Sequence, residues 1–534
     1  MNVRPLKRET ALYHVVWGIT AAVGLLALLP LLYLLLRALG AEETLIETLF
    51  TPSIIAVVGN SLTLTALVMI GAALIGVPFA WLTSRTDLPL SRLWLTLGIL
   101  PMVIPTYLIA VTFVFAFGPR GLLQEALEVS SGVERLPPIY GLFGTWLVLT
   151  LCTFPYVALP LRAVFRSMAL QLEEAALDLG ANRWQTFWRV LLPQCAPALC
   201  SGMMLAGLYS LCDFGAAAVM RYNNFTRVIY LQYTSAFDRE RAALLALLMV
   251  IFTIALLMFE RWMSRRASVP MSGTPSQPKP IRLGRWRAPA VAYCAIVTAL
   301  GVGTPTGILI HWLLTRTMTR QVEYSPFALT LNTLGLSGTV ALLCMIVALP
   351  IAALVQASPS RFNRVLARLP YLTYALPGVV IGLASVFFMT RYLPVLYQTL
   401  PVLLVAYTLR FLPLSISTTE TSFGQVNARL VETAQSLGAG KWQIFARLLL
   451  PLSRSGVLSG GALVFLAVMK ELPIGLMLAP TGFHTLSYRI WSAYQEAIFS
   501  QIGPAGLILM LVSLLSANLI LRVEAGGNHS VTSS

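Results

Sequence analysis

Three ionisable side chains stand where the sequence is otherwise apolar. Asp213 lies within Leu211-Cys212-Asp213-Phe214-Gly215, and Lys470 and Glu471 lie within Val468-Met469-Lys470-Glu471-Leu472-Pro473. Charge inside an apolar span is costly and marks a functional site by default, here a cation pathway. The competing structural reading is a local pair in which Lys470 neutralises its neighbours. A second set of residues occurs twice. Glu, Gly, Trp, Gln, Phe, Arg and Pro recur between Glu174–Pro193 and Glu432–Pro451 at one offset, since 432 − 174, 438 − 180 and 451 − 193 are all 258. Both copies are polar islands in an apolar chain.

The elements around these residues belong in a bilayer. Of 534 residues, 57% are hydrophobic and 11% charged, with a mean hydropathy of +0.78; a soluble domain averages about 25% charged residues. The net charge of +16 sits in short loops between apolar runs and not among stacking aromatics. The positive-inside rule accounts for it, and nucleic acid is not an expected partner. A membrane helix needs about 20 mainly apolar residues. Twelve stretches qualify, near 14–37, 58–82, 93–117, 140–163, 196–220, 242–262, 288–313, 330–356, 367–390, 394–417, 455–480 and 503–522. The expected fold is an all-α integral membrane protein in contact with lipid. The run His14 to Leu36 exceeds a signal-peptide core of about 7–15 residues and reads as a retained span. The six cysteines lie in or beside apolar segments without metal-ligand spacing and read as small buried hydrophobes, so no firm metal site is expected.

Charge sets the topology. Arg4, Lys7 and Arg8, then Arg85 and Arg92, then Arg361, Arg364 and Arg368, and the basic residues from Arg261 to Arg287 share one face if both termini are cytoplasmic. Both Glu-to-Pro stretches fall on that face. The duplication extends further: Asn60, Pro78 and Pro105 match Asn332, Pro350 and Pro377 at an offset of 272. Asp213, Phe225, Tyr230 and Tyr233 match Glu471, Phe483, Tyr488 and Trp491 at 258. The 14 additional residues of the first half (272 − 258) are assigned to an external loop over 118–139. Six spans per half orient both copies alike, a parallel repeat whose axis would bring Asp213 and Glu471 together. The expected domains are residues 1–262, with a polar loop at 166–195, and 288–534, with a polar loop at 424–453. Between them the Pro-, Ser- and Arg-rich segment 263–287 reads as a flexible tether.

Each polar loop predicts two short helices around a break. Gly180 and Gly438 suit a left-handed C-cap. After them Trp184, Phe187, Trp188 and Leu191, and in the second copy Trp442, Phe445 and Leu449, mark one apolar helical face. Pro193 and Pro451 sit near the start of the next span, where a missing N–H costs little. An interfacial anchor is the plain reading of one such loop. Two copies in register suit a partner that also comes in two copies.

The pattern Glu174-Ala175-Ala176, then Gly180, then Val190-Leu191-Leu192-Pro193, resembles the signature loop of permease subunits of bacterial ABC importers. The second copy keeps Glu432, Ala434, Gly438 and Pro451 and departs at Thr433. The resemblance implies a type I importer-like fold in the bacterial inner membrane. It also implies coupling loops docked on two cytoplasmic ATPase subunits that use ATP and Mg, and an external substrate-binding protein. This chain would then be a transport subunit and not an enzyme, with no cofactor of its own. Gly438-Ala439-Gly440-Lys441 is no phosphate loop, because Gln435 and Trp442 stand where Gly and Ser/Thr are required. The segments around Asp213 and Glu471 look like those of ferric-iron importer permeases, although Ile474-Gly475 replaces the Ala-Thr frequent there. Hard Fe(III) prefers oxygen ligands, and Tyr222 and Tyr488 are placed to add transient contacts, while His484 reads as a surface residue. Thiamine, phosphonate and polyamine importers share the architecture. A secondary transporter driven by an ion gradient is the rival class; it needs no ATPase and leaves the paired polar loops unexplained.

Overall fold

The computed structural model describes residues 11–39, 50–119, 121–131, 136–167, 176, 178–186, 188–189, 192–236, 238–266, 280–315, 325–357 and 360–529. Among them the secondary structure is helical, apart from one isolated bridge between Thr86 and Ile281. Among the described residues ten helices are long and apolar enough to cross a membrane, and up to twelve spans result if each of two bent pairs counts as one. Most expected spans fall within a few residues of their observed helices. The expected span 394–417 is displaced: its helix runs from Leu400 to Gln425, with Pro394–Leu396 in a separate turn and Arg410 near its middle. The segment 118–139 carries a helix, Leu122–Ser131.

The chain forms two compact units, and neither is simply one sequence repeat. One unit is built mainly from residues 43–238 and 245–317, and the other mainly from residues 1–42 and 318–534. The first helix of each repeat therefore belongs to the unit formed by the other repeat. In the unit of the first repeat, the Arg287–Thr298 helix lends Ala290, Cys294 and Val297 to a core with Phe79, Phe154, Leu161 and Phe165. Tyr293 donates its hydroxyl hydrogen to the Ile75 carbonyl at 2.7 Å. In the unit of the second repeat, the Ala11–Leu39 helix lays Trp17 on Phe362 and Tyr33 among Phe387, Phe388 and Tyr392. Motif offsets identify equivalent residues, whereas side-chain complementarity decides which helices meet.

The expected tether is ordered at its described ends. The Arg239–Arg266 helix runs into it, and the far end returns to the turn after the Pro52–Arg85 helix. There Ile281 N–H donates to the Arg85 carbonyl at 2.8 Å, and Leu283 N–H donates to Asp87 Oδ1 at 2.8 Å. The Pro- and Ser-rich run between them lies largely outside the described residues.

Candidate functional site

Both charged spans break at their carboxylates. In the first repeat the Leu192–Cys212 helix ends just before Asp213, and a short helix, Gly215–Val219, resumes after it. In the second, Arg454–Lys470 ends before Glu471, and Pro473–Leu478 follows. The expected continuous spans 196–220 and 455–480 are therefore interrupted. A break inside a membrane frees backbone groups that lipid cannot satisfy, so protein must. Asn224 Nδ2 and Thr226 Oγ1 donate to the Asp213 carbonyl at 3.2 and 2.6 Å. Ser487 Oγ donates to the Met469 carbonyl at 2.7 Å.

These donors come from the helix Phe225–Thr234 with its N-cap Asn224 and from the helix Leu486–Gln495, each anchored in the same way. Asn60 Nδ2 donates to the Asn223 carbonyl, and Asn332 Nδ2 donates to the His484 carbonyl. Ser61 accepts from the Phe225 N–H, and Thr333 accepts from the Leu486 N–H. These equivalences fix an offset of 261 here (486 − 225), three more than the 258 read from the sequence. Phe225, Tyr230 and Tyr233 thus correspond to Leu486, Trp491 and Tyr494, because the segment after Glu471 is three residues longer.

The two carboxylates differ. Asp213 is 8% exposed and fully engaged: Thr106 Oγ1 donates to Oδ1 at 2.5 Å, and Ala216 N–H donates to Oδ2 at 2.8 Å. Glu471 Oε2 faces Arg410 Nη2 at 3.8 Å, too long for a hydrogen bond, with the two side chains 11% and 13% exposed. Arg410 Nη1 donates to the Leu376 carbonyl at 3.1 Å. Glu471 Oε1 and Arg410 Nε are buried without a hydrogen-bond partner. Gly378 explains the fit, because a Cβ there would lie 2.1 Å from Glu471 Oε1 and 2.8 Å from Arg410 Nη1. Lys470 ends its helix half-buried, and Glu471 forms an ion pair with Arg410. Arg410 was not singled out from the sequence as a site residue. Its signal was a lone charge in an apolar span, opposite Cys152 at offset 258.

The tyrosines are engaged locally. Tyr222 is buried and donates its hydroxyl hydrogen to the Asn60 carbonyl at 3.0 Å. Tyr488 is half-buried, with its ring 4.8 Å from that of His484. His484 is half-buried. Burial, with Arg489 second, holds its imidazole below the ordinary value.

The polar loops are stabilised by caps. In the second copy the helix Ala428–Ser436 ends with Gly438 at φ +81°, Ala439 N–H donating to Ala434 O and Gly438 N–H to Gln435 O. This is a Schellman closure, which favours glycine at that position. In the first copy Gly180 has φ +87°, and Ala181 N–H donates to Ala176 O. The recurring glutamine is a cap as well. Gln185 Oε1 accepts from Asn182 N–H while Asn182 Oδ1 accepts from Gln185 N–H, a reciprocal capping box. Gln443 Oε1 accepts from Gly440 N–H, and Gly440 has no side chain to answer.

Glu432 is exposed, and so are Leu437 at 82% and Trp442 at 63%. The expected regular helix after Gly438 widens into a π turn over Phe445–Leu449. Trp442 stacks on Phe445, which meets Phe423 edge-on at a centroid distance of 6.4 Å. Pro193 and Pro451 are exposed in the first turns of Leu192–Cys212 and Leu450–Leu452. The Trp184 backbone lies in the short helix Arg183–Thr186, while Glu174 and Ala175 lie outside the described residues.

Comparison with known proteins fits this geometry. The chain matches the family described as binding-protein-dependent transport system inner membrane component over residues 72–269 and again over 345–523. It is 31% identical over 498 residues to an Fe(3+)-transport system permease protein of Haemophilus influenzae, covering 92% of this chain and 94% of the relative. A putative ferric transport system permease protein of the same organism is 24% identical, covering 84% and 74%. The ferric transport system permease protein of Actinobacillus pleuropneumoniae is 23% identical, covering 89% and 72%. With the family pattern matched in both halves around the same two loops, the chain belongs to the inner membrane components of binding-protein-dependent transport systems.

Proposed function

We propose that this chain is the permease of an ATP-driven ferric-iron importer in which an external binding protein delivers cargo and two ATPase subunits dock on the loops 166–195 and 424–453. The observation that carries the docking role is the exposure of Leu437 and Trp442 on a loop otherwise held rigid by its caps. Large apolar side chains grouped on a polar loop suit a protein partner. The ferric reading is supported by the ferric transport permeases among its relatives and by the oxygen chemistry of Glu471. Asp213, Lys470 and Glu471 would border the cargo route, with Tyr222 and Tyr488 beside it. Both termini would be cytoplasmic.

The mechanism is alternating access powered by ATP and Mg bound to the partner. In the unit of the second repeat, movement of the loop has a direct route inward: Phe445 contacts Phe423, and Phe423 lies on the helix that carries Arg410. The test replaces Glu174 and Glu432 together with Ala. ATP-coupled uptake of radiolabelled iron by a deletion strain should fall to background. Unchanged uptake overturns the coupling role, and a wild-type chain that restores thiamine but not iron uptake overturns the cargo.

A further inference from the structure

We propose that Arg410 is the resident counter-ion of a transit site at Glu471, and that a hard multivalent cation passes by taking the carboxylate from the guanidinium. The proposal rests on the cation-import reading and assigns Arg410 a role within it. The ion pair lacks the form of a structural one. A bidentate arginine–carboxylate pair makes two parallel hydrogen bonds. Here the charged atoms stand 3.8 Å apart, and Glu471 Oε1 and Arg410 Nε have no hydrogen-bond partner although both are buried.

The first repeat shows the same framework with a carboxylate whose two oxygens are both hydrogen-bonded. There Thr106 follows Pro105 and binds Asp213, and Cys152 occupies the place of Arg410. The second repeat departs at all three positions at once, with Gly378 after Pro377, Arg410 and Glu471. Gly378 clears the room in which Glu471 Oε1 lies, and nothing replaces the Thr106 hydroxyl as donor. The result is a carboxylate held by charge alone.

A multivalent cation separates this pair, because it attracts the carboxylate and repels the guanidinium at one point. Arg410 has a second acceptor in the Leu376 carbonyl, so it stays bonded when the carboxylate leaves. Between passages it balances the charge of Glu471, which the membrane favours. Ser417 and Thr421, seven and eleven residues beyond Arg410, are exposed on the same face of its helix.

The test uses the full chain with its ATPase in phosphatidylcholine nanodiscs and terbium(III) luminescence as the probe. Arg410→Gln should bind terbium at least tenfold more tightly than wild type, about 1.4 kcal/mol. Glu471→Gln, alone or combined with Arg410→Gln, should abolish that binding. Equal affinity in Arg410→Gln and wild type, or a site that survives Glu471→Gln, overturns the proposal. If Arg410→Gln does not fold, Arg410→Lys takes its place, with at least threefold tightening expected and unchanged affinity overturning the proposal. Iron uptake separates the two readings. Wild type that imports no iron but gives the terbium pattern sinks the cargo assignment alone, and iron import with unchanged terbium affinity sinks the counter-ion alone.

Discussion

Asp213 and Glu471 occupy equivalent breaks in equivalent helices, yet one is a bonded cap and the other a loosely held charge. Asp213 has a donor for each oxygen. Glu471 has an arginine at 3.8 Å and an oxygen that nothing binds. The difference arises from three substitutions at matched places, each legible as a side chain gained or lost. A duplicated framework can thus keep its backbone break while bonding the carboxylate fully in one copy and leaving it loosely held in the other.

The sharpest way to break that comparison is to delete the two carboxylates separately. Asp213→Ala leaves the Thr106 hydroxyl and the Ala216 N–H unpaired and should cost on the order of 3 kcal/mol, read as a lower thermal midpoint in nanodiscs. Glu471→Ala should change the midpoint far less while reducing uptake. Equal losses of stability would make the two sites alike. Next in size, Gly378→Ala places a Cβ 2.1 Å from Glu471 Oε1 and should cost about 1–3 kcal/mol through overpacking, with the Arg410 pair disturbed. Thr106→Val removes one hydrogen bond and should cost about 1 kcal/mol, seen in the same melt and with uptake retained. Smallest is Gly440→Asn, which supplies the answering cap that Asn182 provides in the first copy. It should stabilise the second loop by a few tenths of a kcal/mol, read as slower amide exchange at Gln443.

Much of the site is legible in the sequence. Gly180 and Gly438 announced the caps because a left-handed residue favours glycine whatever surrounds it. Asp213 and Glu471 stood out because hydropathy is a property of the segment itself. The recurring Gln185 and Gln443 were visible too, although their capping role emerged only once Asn182 and Gly440 were in place. Arg410 was visible as a charge but not as a partner, since Glu471 lies 61 residues away (471 − 410) and Lys470 adjoins it. The three-residue change of register, from 258 to 261, escaped because chance aromatic matches mimic a constant offset.

Sequence by itself determined the membrane class, the duplication and the two polar loops. Each of these depends on partitioning or capping within one span or one turn, where the interacting residues are neighbours in the chain. Tertiary structure alone decided that the first helices are exchanged between units and that Arg410 faces Glu471. Such contacts join residues far apart in sequence. Their energies come from matched shapes and charges on two surfaces, a property that neither segment carries alone.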